Sequence, residues 1–311
     1  MRRVRISAPG KIILSGEHAV VYGKPAILAA VNKRLFISIN KSTKNEIITS
    51  ESPSLARYAR NFVLEVLSKQ KEKLKIEIFS EIPVGCGMGS SAALAVAMTA
   101  ALFKLFNRPF NKEKINEIAY EIEKKQHGNP SGGDNTISTY GGFLWYRKEA
   151  EFLKLFKPLD FSFEKLPQFV LINSGRPLET TGEMVARVRK LYEQKTHQTE
   201  EIFNKIEKTT KQLLVAFQQG KRDLASRMIK ENECLLESLG IVNEFAQKVI
   251  REIESAGGVA KVCGAGGAKE GSGIILGLHS TKNSLLKIAK ERNLPAFEVK
   301  LGEEGVRIEE N

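Results

Sequence analysis

The residues best suited to chemistry lie in three separated stretches, 83–92, 127–142 and 9–25, each mixing glycine with hydroxyl-bearing or ionisable side chains. In the first, Gly85, Gly87 and Gly89 alternate with Cys86 and Met88 and lead into Ser90 and Ser91. Without a Cβ, a backbone can turn sharply and approach a ligand closely. A helix starting at the serines would point its free N–H groups and its dipole at an anion held in that turn. The two hydroxyls can cap the helix, touch phosphate or ligate magnesium. The chemistry implied for Gly85–Ser91 is a phosphate cradle. It is not the common P-loop, because no Gly-Lys-Ser/Thr closes it, and the alternate glycines are not the G-x-G-x-x-G of dinucleotide sites. The other stretches add charge: Lys11, Glu17 and His18 in one, His127 and Asp134 in the other.

Regular elements must position these residues. Leu74–Phe79 alternates apolar and charged residues, the period of a half-buried strand, and Ala92–Phe106 is a glycine-free apolar run that reads as a buried helix. Lys112–Lys125 is amphipathic, with Ile115, Ile118, Ala119 and Ile122 on one face, and it carries Glu121 and Glu123 toward a loop at 127–135. Val4–Ala8 reads as a short strand broken by Pro9-Gly10, and Leu35–Asn40, Phe143–Tyr146 and Phe169–Ile172 as further strands. From 181 to 255 the pattern is helical, interrupted near Gly220 and Gly240. Val259–Val262 and Gly273–Leu278 flank a second glycine turn, Gly264-Ala265-Gly266-Gly267. The expected class is α+β in two lobes, with the boundary inside Phe156–Pro167 and domains of 1–165 and 166–311.

At 311 residues the chain is long for one core, which favours two lobes. Forty-eight basic against 36 acidic residues give a net charge of +12, but the lysines are spread along the chain without a basic block or interleaved aromatics. That argues against nucleic acid and for anionic substrates or a solvated Lys/Glu surface. Cys86, Cys234 and Cys263 form no C-x-x-C pair, so a reducing cytosol without structural zinc is expected. The most apolar run, Ala92–Phe103, is too short to span a bilayer. Read alone, Asp134 serves as a turn residue, Lys11 as a lysine at a strand end, Glu123 as part of a solvated helix face, and Glu17-His18 as a capping pair.

Together the stretches resemble the motifs of the GHMP small-molecule kinases, and within them the mevalonate kinase family. The first motif is Pro9-Gly10-Lys11-Ile12-Ile13-Leu14-Ser15-Gly16-Glu17-His18-Ala19-Val20-Val21-Tyr22-Gly23 and the second is the loop 85–92. The third stretch, His127-Gly128-Asn129-Pro130-Ser131-Gly132-Gly133-Asp134-Asn135, looks like that family's active-site loop. The resemblance implies a two-lobed fold, with a mixed-sheet N-terminal lobe, a helix-rich α+β C-terminal lobe and the active site between them. It implies ATP-dependent phosphorylation of the primary hydroxyl of mevalonate by a cytoplasmic monomer or homodimer, with no nucleic-acid or membrane partner. Asp134 matches the catalytic base and Lys11 the lysine beside it; Ser91 and Glu123 match the Mg²⁺ ligands, and Gly85–Ser91 the ATP loop. Glu17, His18, Thr180, Thr181 and Gly266 match substrate-facing positions.

The chain departs from the family at Cys263–Gly273, where Lys269 and Glu270 interrupt a glycine turn. Unpaired buried charges cost several kcal/mol, so these two are expected to loop into solvent, leaving Gly264–Gly267 near the substrate. If they do not, a kinase for another acceptor such as phosphomevalonate, a sugar or homoserine is the alternative.

Overall fold

Strands β1 (Val4–Ser15) and β2 (Ala26–Lys41) pair antiparallel and form the spine of the first lobe. The structure is a computed structural model that describes residues 3–127, 130–160 and 169–310. The remaining elements, in order, are β3 (Glu46–Thr49), α1 (Pro53–Val66), β4 (Leu74–Ser80), α2 (Ser90–Leu105), α3 (Lys112–His127), α4 (Gly133–Tyr140), β5 (Phe143–Lys148) and β6 (Lys154–Leu159). The second lobe adds β7 (Phe169–Asn173), α5 (Thr181–Gln194), α6 (Thr196–Gln218), α7 (Arg222–Ser238), α8 (Glu244–Ser255), β8 (Val259–Val262), β9 (Ile274–Leu278), α9 (Lys282–Glu291) and β10 (Ala296–Glu298), and a last strand, β11 (Arg307–Ile308), follows in sequence.

The first sheet is mixed and seven-stranded, with the path β11-β1-β2-β4-β3 and with β5 and β6 continuing from β2. Ile6, Ile37 and Ile78 lie in one row across β1, β2 and β4. Each buried isoleucine contributes roughly 1.5–3 kcal/mol, so a one-residue slip that turned the row to the other face is strongly opposed. Helix α2 is buried on almost every side, as an apolar helix without a polar face must be. The second sheet is β10-β7-β9-β8 with α8 and α9 packed on it. One apolar core continues from the first sheet through α2 into Leu213, Phe217 and Ile229 of α6 and α7, so the lobes share buried contacts.

Several boundaries differ from the sequence reading. β1 does not end at Pro9-Gly10; it passes through with a register shift between Pro9 and Lys11, because a bulge accommodates a residue with no N–H to donate. The loop expected over 127–135 becomes helical at Gly133, which puts Asp134 in the first turn of α4. Strand β6 occupies part of the expected inter-lobe boundary by pairing with β5. The division at 165/166 lies outside the described residues. The C-terminal strand β11 returns to the first sheet, Ile6 opposite Ile308, so the chain's end belongs with its beginning.

Candidate active site

The bulge in β1 turns Lys11 toward the glycine loop, where its N–H donates to the Met88 carbonyl (2.9 Å). Its side chain then runs across Gly89, where a Cβ would sit 2.9 Å from Lys11 Cγ, and Gly89 has φ +73°. Both facts call for glycine. Lys11 Nζ ends 3.1 Å from Asp134 Oδ1. Asp134 is set by α4, which begins after Gly132 in the left-handed region and is tied to β1 by Ser138 Oγ donating to the Pro9 carbonyl (3.0 Å). The preceding segment is held from β5: Tyr146 Oη donates to the Ser131 carbonyl (2.7 Å) and Lys148 Nζ to that of Pro130 (3.1 Å). Gly128, Asn129 and the side chain of His127 lie outside the described residues.

Glu123, on α3, is buried beneath this pair and accepts a hydrogen bond from Ser91 Oγ at 3.3 Å. Burial, reinforced by the nearby Asp134 charge, pushes its pKa up to about 8 against the opposing pull of Ser91 and Lys11. A hydroxyl, a carboxylate and the oxygens of a nucleotide form the hard-donor set that Mg²⁺ takes, and a dication would restore the charge that burial suppresses. Among the described residues no group of three or more His, Cys, Asp or Glu side chains gathers, so a magnesium ion here would draw on phosphate and water.

Gly85, Gly87 and Gly89 all adopt positive φ, and Gly89 precedes α2 without a side-chain cap, so the amino end of that helix faces the loop. The Arg176 guanidinium lies across Gly85, 2.7 Å from the position of a Cβ there. Glycine at 87 has a second cause: a Cβ would stand 3.0 Å from the Cys263 carbonyl. Ile274 N–H also donates to the Cys86 carbonyl (3.1 Å), so the two glycine turns, one from each lobe, pack backbone against backbone.

The substrate-facing expectations divide. His18 is buried, its Nε2 3.1 Å from the Ala265 carbonyl, and burial lowers its pKa to about 4 despite that bond. Glu17 has no exposed surface; it turns inward to Lys261 of β8 and Asn232 of α7, which leaves it no open face for a substrate. Gly266 packs on its own lobe, where a Cβ would come within 2.1 Å of the Ile241 carbonyl, and Gly264 is the residue that meets Gly87. Thr180 caps α5, accepting from Glu183 N–H (3.2 Å) in a capping box, and Thr181 is exposed in its first turn. Lys269 and Glu270 are exposed, as expected. Sequence reasoning missed Lys261 and Arg176. The signal for Lys261 was available: a lysine between Ala260 and Val262 in a strand that otherwise reads as core.

This fold and this site define a GHMP-type small-molecule kinase. The family described as GHMP kinases N terminal domain matches residues 55–142, the span from α1 to the end of α4. A mevalonate kinase of Archaeoglobus fulgidus is 37% identical over 310 residues, covering 98% of this chain and 99% of its own. A mevalonate kinase of Pyrococcus horikoshii is 31% identical over 344 residues, covering 100% and 99%. The chain belongs to the mevalonate kinase family. In fold it is similar to the L. major mevalonate kinase solved with R-mevalonate, with a TM-score of 0.82 at 24% identity over 96% of this chain and 95% of that one. The Methanococcus jannaschii mevalonate kinase gives a TM-score of 0.79 at 24% identity over 97% and 99%.

Proposed function

We propose that this enzyme transfers the γ-phosphoryl group of ATP to the primary hydroxyl of mevalonate, giving 5-phosphomevalonate and ADP. The observation that carries the reading is the Lys11–Asp134 pair, 3.1 Å apart and joined through Met88 to the glycine loop. Family membership supplies the reaction class; the geometry supports the roles.

In phosphoryl transfer the protein mainly positions the reactants and stabilises charge. The amino end of α2 and the Gly85–Ser91 loop receive the phosphates, with the Arg176 guanidinium above them. Ser91 and Glu123 would hold Mg²⁺, which supplies neutralising charge to the triphosphate when bound. Asp134 accepts the hydroxyl proton as the oxygen–phosphorus bond forms, while the bond to the bridging oxygen of ADP breaks. Lys11 lowers the pKa of the attacking hydroxyl and faces the charge developing on the phosphoryl group. His18, neutral at working pH, borders the acceptor side.

The three cysteines are free, and among the described residues no helix is long and apolar enough to cross a membrane. We place the enzyme in the cytoplasm, as a monomer or homodimer. The exposure of Lys269 and Glu270 removes the sequence feature that favoured another acceptor. The deciding experiment is an ADP-release screen over mevalonate, phosphomevalonate, galactose and homoserine. Turnover is expected with mevalonate; preference for another of these acceptors would replace the reading.

A further inference from the structure

Between the lobes lies a buried polar cluster that the phosphotransfer chemistry does not use. Glu17, Lys261, Ser15, Asn232 and Thr210 are all fully buried. Lys261 Nζ is ion-paired with Glu17 Oε1 and also donates to the carbonyls of Val262 (2.8 Å) and Ile13 (3.3 Å). The other Glu17 oxygen accepts from Asn232 Nδ2 (3.3 Å), Ser15 Oγ donates to Asn232 Oδ1 (2.7 Å), and the Ser15 and Thr210 hydroxyls are hydrogen-bonded at 2.7 Å. Burial is the largest influence on Lys261 and lowers its pKa, but the charge and hydrogen bond of Glu17, joined by Cys263 and Glu233, together outweigh it and raise the pKa, so the lysine is held as a cation.

The placement of this pair matters more than its strength. Ile13 and Glu17 follow Lys11 on the same strand and turn, and Lys261 is followed by the glycine turn whose Cys263 and Gly264 lie against Gly87. The next residue in the loop, Met88, accepts the Lys11 N–H. The contacts therefore close a ring: Lys11 to Met88, Gly87 to Cys263, Lys261 to Ile13 and Glu17, and back along β1 to Lys11. A buried ion pair is weak evidence for stability, because desolvation offsets most of its attraction; its better-attested use is to fix one arrangement among several.

We propose that Glu17 and Lys261 are positioning residues whose ion pair locks β1 to the C-terminal lobe and so fixes Lys11 against the glycine loop. This rests on the phosphotransfer reading for its kinetic arm only. Removing the pair should lower kcat more than it raises either KM, since Lys11 acts chiefly on charge that develops in the transition state.

The test is a double-mutant cycle on the full chain with Glu17→Gln, Lys261→Met and the two combined. Each single variant is expected to lose stability through a stranded buried group, and the double variant to regain it. All three are expected to lose kcat by at least ~10-fold, with the double no worse than the singles because the pair acts as one unit. A double variant that melts like wild type and also turns over like wild type would reduce the pair to a structural filler. If Glu17→Gln is impaired while Lys261→Met is normal, Glu17 acts on the acceptor directly and the proposal is wrong. Hydrogen exchange without substrate separates this from the activity reading: the double variant should exchange faster over residues 9–15 and unchanged over β4, and unaltered protection at 9–15 overturns the latch whatever the enzyme phosphorylates.

Discussion

Lys11 and Asp134 form an ion pair of unequal partners: the lysine side chain is 3% exposed and the carboxylate 37%. The cation is enclosed by the glycine loop, while the anion stands at the mouth of the site. The fixed charge is thus placed where water cannot screen it, and the proton acceptor where a hydroxyl can reach it.

Asp134→Asn should leave the fold and ATP binding intact, because the half-exposed side chain contributes little packing. Turnover should fall at least ~10²-fold, the low end for losing a positioned base. Steady-state kinetics with a parallel melting curve check this, and near-normal kcat removes Asp134 from proton transfer.

Lys11→Met keeps most of the buried volume but none of the charge. Its kcat should drop by more than its KM for either substrate rises, since uniform binding would appear in KM alone. A change confined to KM would make Lys11 a binding residue.

Gly87→Val is a poor probe of the phosphate cradle, because its side chain would strike the Cys263 carbonyl from the other lobe. It should lower the melting temperature as well as ATP affinity. Ser91→Ala is the cleaner variant: the magnesium concentration needed for half-maximal turnover should rise several-fold while the melting temperature holds. An unchanged magnesium requirement would take Ser91 out of the metal site.

Lys269→Ala combined with Glu270→Ala should leave mevalonate turnover within about twofold, as solvent-exposed substitutions away from a site usually do. Gly266→Val should fail at the level of folding, because a Cβ there meets the Ile241 carbonyl at 2.1 Å. Thermal unfolding of both proteins, measured beside activity, distinguishes the two mechanisms.

His18 gives a pH signature. Its pKa is lowered to about 4 in the fold from 6.5, so the unfolded chain binds more protons between those values and stability rises with pH there. The contribution is complete above pH 6.5 and about 3 kcal/mol of it is lost by pH 4. Glu233 acts in the opposite sense: burial raises its pKa to about 8, so its burden grows as pH rises from 4.5. The His18 part is isolated by the difference between wild type and His18→Asn, which removes the imidazole and keeps a polar side chain at that position. Parallel urea midpoints from pH 4 to pH 6.5 in the two proteins would show that His18 does not carry it.

The sequence by itself determined which elements form. Apolar period and glycine punctuation place α2, α3, β4 and the helical run of the second lobe within a few residues, since those signals are local. It also supplied the chemistry: the hydroxyls and glycines of 85–91, and Lys11 and Asp134 in stretches whose order matches a family. It could not decide which side chains meet. Glu17 and Gly266 read as substrate-facing, yet the first is claimed by Lys261, 244 residues away, and the second by the Ile241 backbone. Gly87 is required as much by the opposite lobe as by phosphate, and β11 rejoins β1 from the far end of the chain. Partner choice over such separations is set by packing and desolvation in the assembled core, where a buried charge must find its counter-charge and two backbones can touch only where neither carries a Cβ. Those constraints exist only once both lobes are in place.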